Sequence, residues 1–242
     1  MRAPLLLIPP SEAKREGGRH RARVGSFDED LTEARDVVSA RLRQLVESAP
    51  DARLAGVLGV RGALLARARD SSIALLDGRA PLMPASQRYS GVVWSHLEPD
   101  TLTAAQRRRL IVPSGLYGLN AGDDVIADYR LKMSARLGRE SMSAFWRSRL
   151  STSLARFAND RVIYDMLPLE HRAALTGLGS DARLVTVTFT HGANGRLAGH
   201  DAKAAKGAFA RHLIVGATPA SFDWRGWTAR ARDGEIRVVY GA

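Results

Sequence analysis

Residues 5–8 read Leu-Leu-Leu-Ile and run straight into Pro9-Pro10, and this junction constrains the fold more than any other stretch of the sequence. A short unbroken apolar run has the length of a buried strand and is too short for a helix. Proline has no N–H to give to a ladder, so the strand ends where the prolines begin. The next stretch, residues 11–25, carries Glu12, Lys14, Arg15, Glu16, Gly17-Gly18, Arg19, His20, Arg21 and Arg23, a polar and mostly basic loop.

Helical periodicity follows. Over residues 31–46 the apolar Leu31, Ala34, Val38, Leu42 and Leu45 recur at helical spacing, with Arg35, Arg41 and Arg43 between them. Residues 54–68 read as a second helix, weakened by Gly56, Gly59 and Gly62. Residues 110–112 read as a short strand entering the turn-rich Pro113-Ser114-Gly115-Leu116-Tyr117-Gly118, and residues 143–158 as a helix with Phe145, Trp146, Leu150, Leu154 and Phe157 on one face. The last third alternates between strands at 162–164, 184–189 and 236–240 and helices at 169–175 and 202–215, with Asn194-Gly195 as a hairpin signal. No repeat or linker interrupts the 242 residues, so the expectation is one α/β domain, a central sheet with surrounding helices.

Composition narrows the function classes. The chain has no cysteine, which excludes disulfides, thiolate nucleophiles and Cys-ligated metals. Its six histidines show no dense ligand spacing, so neither a metal nor a cofactor is expected. The initial apolar run is too short for a signal peptide, and no stretch approaches the roughly 20 apolar residues that span a bilayer, so a cytoplasmic protein with no membrane partner is expected. A net charge of +11, from 36 Lys and Arg against 25 Asp and Glu, attracts polyanions even where it is only compositional.

Three segments carry chemistry. Pro9-Pro10-Ser11-Glu12-Ala13-Lys14 offers a hydroxyl, a carboxylate and an ammonium at the end of a strand, where open α/β sheets bind ligands; its plainer role is a capped turn. The turn through Ser114, Gly115, Tyr117 and Gly118, with Arg130 and Lys132 following, suits a phosphate cradled by backbone N–H groups, or else a tight turn with Tyr117 in the core. Lys203 and Lys206 sit about one turn apart on a helix and meet phosphates or simply solvent. Asp165 and Glu170 are possible paired carboxylates, with capping and salt bridging the stronger reading.

At these segments the sequence resembles the YaaA peroxide-stress family. Members open with a strand and a loop of the SPAK or PPSEGK kind, as residues 9–14 do here. A GDVY-type segment, SGLYG, YRLEM, an FW pair and a late AKxAKG helix follow in order. Their counterparts are Ser90-Gly91-Val92-Val93-Trp94, residues 114–118, Tyr129-Arg130-Leu131-Lys132-Met133, Phe145-Trp146 and residues 202–207, with Lys132 in place of the family's Glu.

The resemblance implies a single compact α/β fold with a basic cleft and a helix-hairpin-helix-like element at residues 114–122 that binds duplex or distorted DNA and limits oxidative damage. Arg107, Arg108, Arg109, Arg130, Lys132 and Arg136 would then be its backbone contacts. A second reading is a biosynthetic enzyme acting on a small anionic or nucleotide-like substrate in a cleft of Lys14, Tyr117, Arg130, Lys203 and Lys206, with Ser11, Lys14, Tyr117 and Lys206 as catalytic candidates. A third is a noncatalytic interaction module whose basicity is compositional.

Overall fold

The computed structural model describes residues 2–175, 183–191, 196–197, 199–232 and 234–241. In chain order these form β1 (Leu5–Leu7), α1 (Asp28–Ser48), α2 (Asp51–Leu58), α3 (Ala63–Leu76), β2 (Leu82–Pro84), α4 (Ala85–Arg88), α5 (Val92–Leu97), α6 (Ala104–Arg107), β3 (Leu110–Ser114), β4 (Gly118–Ala121) and β5 (Val125–Ala127). They continue with α7 (Met142–Ala158), β6 (Ile163–Asp165), α8 (Leu169–Arg172), β7 (Leu184–His191), β8 (Arg196–Leu197), α9 (His200–Ile214), β9 (Asp223–Trp224), β10 (Trp227–Arg232) and β11 (Glu235–Tyr240).

The large sheet runs β4-β3-β1-β6-β7-β11-β10-β9, with β8 on β7, while β2 and β5 pair separately. β1 lies between β3 and β6 and is parallel to both, and β6, β7 and β11 continue the parallel core. A strand flanked on both edges and covered on both faces has no solvent side, which is why β1 reads as three leucines without alternation. One apolar cluster joins β1, β3 and β6 to α1, α7 and α9. This is the mixed α/β architecture, with a central sheet and surrounding helices, that the sequence leads one to expect.

Local chemistry explains where two expectations shift. The helix expected over 54–68 is two helices, because Gly59 caps α2 at φ 65 and Gly62 precedes α3 at φ 59, left-handed values that break helical continuity. Residues 114–122 do not form a helix-hairpin-helix. They are the turn and second strand of an antiparallel β-hairpin, with Val112 opposite Asn120 and Ser114 opposite Gly118. Gly118, at φ 73, lies where a Cβ would stand 2.9 Å from the Trp146 ring, so the hairpin packs directly on α7. The hairpin expected at Asn194-Gly195 lies outside the described residues.

Candidate functional site

Three parallel strands end on one side of the sheet, and the segments leaving β1, β3 and β6 line a cavity of about 650 Å³. The segment after β1 is held by backbone pairing. Lys14 bridges to Tyr89, Ser90 N donates to Ala13 O at 3.1 Å, and Arg15 N donates to Arg88 O at 2.8 Å. The Arg88 guanidinium, 1% exposed, donates to the carbonyls of Arg15, Gly17 and Pro81, locking the loop from behind. Ser11 packs against Gly91, where a Cβ would stand 2.4 Å from Ser11 Oγ.

Lys14 Nζ donates to Ser11 O at 3.0 Å and lies 4.5 Å from the Tyr129 ring centre. Burial dominates its titration and brings its pKa down to about 8, against the opposing pull of Asp128. The Tyr129 and Tyr89 hydroxyls are 2.8 Å apart, and burial raises both pKa values. Tyr117 packs edge-on against Tyr129 behind the cavity wall. Its hydroxyl accepts from Ala127 N at 3.1 Å, and burial pushes its pKa up to about 12.

The turn after β3 serves geometry first. Ser114 is buried, and its Oγ accepts from Leu116 N at 3.2 Å and Tyr117 N at 3.1 Å. Gly115 lines the cavity, and a Cβ there would stand 2.5 Å from Leu131 O. Residues 129–133 pass alongside it, so Arg130 and Lys132 both face the cavity. At the mouth Lys132 Nζ pairs with Glu12 Oε1 at 2.7 Å, a bond that lowers the Glu12 pKa.

On the β6 side Asp165, 2% exposed, accepts from Leu167 N at 2.8 Å and from Arg172 Nε at 2.6 Å. It therefore caps and salt-bridges, and it orients α8 so that Glu170 and His171 reach the cavity. From α9 come Lys203 and Lys206. Lys206 Nζ donates to Met166 O at 2.7 Å; burial again lowers its pKa to about 8, with Asp165 opposing the shift.

The cavity thus gathers Ser11, Glu12, Lys14, Gly115, Arg130, Lys132, Glu170, Lys203 and Lys206 from the residues singled out in the sequence, and adds Tyr129 and His171. It does not gather Arg107, Arg108 or Arg109, which precede β3 and so stand at the opposite, amino end of the strands. Arg107 donates to Leu102 O, Arg108 faces Asp123 at 3.9 Å, and Arg109 donates to Pro4 O and Ile214 O. Arg136 donates to Arg139 O at 2.6 Å, away from the cavity lining. His171 belongs to no recognisable spacing, and Glu170 does not pair with Asp165 as a second carboxylate; the Asp165–Arg172 ion pair holds the short helix that carries both.

A recess of this size, with apolar walls and several convergent cations, suits an anionic small molecule. Among the described residues no group of three or more His, Asp or Glu is placed to hold a metal, and no helix is long and apolar enough to cross a membrane.

A family model described as peroxide stress protein YaaA matches residues 5–223. A UPF0246 protein of Streptomyces coelicolor is 32% identical over 222 residues, covering 88% of this chain and 84% of that protein. A UPF0246 protein of Corynebacterium efficiens is 35% identical over 167 residues, covering 67% and 65%, and one of Limosilactobacillus fermentum is 32% identical over 161 residues, covering 62% and 64%. With most of its length matched, from the first strand to β9, this chain belongs to the YaaA family of peroxide stress proteins.

Proposed function

We propose that this YaaA-family protein binds a small anionic, nucleotide-like ligand in the cavity beyond the carboxyl ends of β1, β3 and β6 and acts on it as an enzyme. One observation carries the reading: Lys14 and Lys206, from opposite ends of the sequence, both reach this recess with pKa values lowered to about 8 by burial. A solvated lysine on a DNA-binding face keeps its ordinary pKa. A lysine whose pKa has fallen to about 8 is suited to holding an anion and exchanging a proton with it. Lys203, Arg130 and Lys132 add positive charge around the same recess, so an anion entering it meets cations from several elements.

Calorimetric titration with inorganic pyrophosphate and with adenosine 5′-monophosphate tests this. Saturable binding that Lys14→Met and Lys206→Met each weaken at least about tenfold, the scale of a lost charged hydrogen bond, is the expected result. Equal binding by wild type and both variants, or no binding of either probe, would overturn it.

The +11 charge favours a second reading, duplex or distorted DNA bound across the surface for protection against oxidative damage. A DNA affinity that falls steeply with salt, and less steeply in Arg108→Glu, supports that reading. An affinity indifferent to salt and to the variant excludes it.

A further inference from the structure

His171 lines the cavity together with Glu170 of its own helix and Lys203 and Lys206 of α9, and the Asp165–Arg172 ion pair holds that helix. Its Nδ1 is buried with no hydrogen-bond partner among the described residues. A proton on that nitrogen would be an orphaned donor, a costlier defect than an unused lone pair. The neutral tautomer protonated at Nε2 is therefore preferred, and Nε2 is the nitrogen left to meet a ligand. Burial and the neighbouring Lys206 oppose charging of the ring, outweighing the pull of Glu170.

The geometry points to His171 as a neutral hydrogen-bond donor that offers Nε2–H to an oxygen of the oxyanion held by Lys206 and Lys203. This deepens the cavity reading above and rests on it. An uncharged donor orients the oxyanion without adding a positive charge that the bare cavity would have to bear. The ligand class is accordingly an oxyanion, phosphoryl or carboxyl, with one oxygen on imidazole and the others on ammonium groups.

Two-dimensional ¹H–¹⁵N imidazole spectra of the full chain test the idea, with His171 assigned by comparison with His171→Gln. At pH 6.5 the ring is expected to carry its proton on Nε2 alone, to remain neutral in saturating inorganic pyrophosphate, and to show an Nε2–H shift that Lys206→Met abolishes. His171→Gln, which retains an amide donor, should bind pyrophosphate within severalfold of wild type, and His171→Leu should lose roughly tenfold or more. A proton on Nδ1, an imidazolium in the complex, or equal affinity in His171→Leu would overturn the assignment. If amide signals at Lys14 and Lys206 move with pyrophosphate while His171 stays still, His171 has no such role and the cavity reading survives. If no cavity signal responds to pyrophosphate or inorganic phosphate, the cavity reading fails and this inference falls with it.

Discussion

Gly207 of α9 abuts Val93 of α5 so closely that a Cβ on the glycine would stand 2.2 Å from the Val93 carbonyl oxygen and 2.8 Å from the His96 Cβ. The two helices pack together, and the adjoining turns of α9 carry Lys203 and Lys206 into the cavity. The glycine is what lets these lysines come in.

Gly207→Ala is accordingly expected to destabilise the protein. Alanine gains up to about 1 kcal/mol of helix propensity. Overpacking against a fixed backbone carbonyl costs typically about 1–3 kcal/mol, and the obstructing atom is not a flexible side-chain tip that can swing aside. The overpacking wins. A lower urea midpoint, with pyrophosphate affinity reduced as α9 moves outward, is the expected outcome; a midpoint at or above wild type would show that the helices part without cost.

Lys14 and Lys206 predict an alkaline gain in stability. Each has a folded-state pKa near 8 against an ordinary value of 10.5, so between these limits the unfolded chain binds more protons than the folded one. Stability contributed by this difference rises as pH increases through that window. Below about pH 8 both lysines are charged in either state and the cost of burying them is carried in full. Urea unfolding at pH 7.5 and at pH 9.5 should show a larger alkaline increment in wild type than in Lys14→Met or Lys206→Met. Parallel increments in all three would mean that neither ammonium is desolvated.

The parts of the site legible in sequence are those where local pattern and chain direction agree. The Leu5-Leu6-Leu7 run ending at Pro9-Pro10 identifies a buried strand, and a buried strand in an α/β sheet delivers its following loop to the ligand edge. Lys203 and Lys206 are legible because helical spacing puts them on neighbouring turns. His171 is not legible, and Glu170 is legible only as a carboxylate near Asp165, since α8 is a single short turn whose orientation depends on buried Asp165 and its partner Arg172. β10 escapes notice for a different reason. Trp227-Thr228-Ala229-Arg230 alternates correctly, with Trp227 and Ala229 buried, but alanine and arginine are weak strand formers. The Ser114–Gly118 turn is recognisable as a turn, yet Leu119-Asn120-Ala121 is too short and mixed to declare the strand that makes it a β-hairpin.

The run Arg107-Arg108-Arg109 looks uniform in sequence and is not uniform in the fold. Arg109 ties Ile214 at the end of α9 to Pro4 before β1, donating to both carbonyls, and Arg107 donates to Leu102 O. Arg108 is 58% exposed and only distantly paired with Asp123. Arg109→Met removes donors from two carbonyls and should cost about 1–3 kcal/mol. Arg108→Glu, on an exposed site, should change stability by no more than about 0.5 kcal/mol. Urea denaturation of the two single variants checks this. It also fixes how the nucleic-acid test must be read, because DNA affinity lost in a triple charge reversal would mix a missing phosphate contact with a loosened strand end. Equal stability of the two variants would mean that Arg109 is no anchor, and the whole run would then be available to a polyanion.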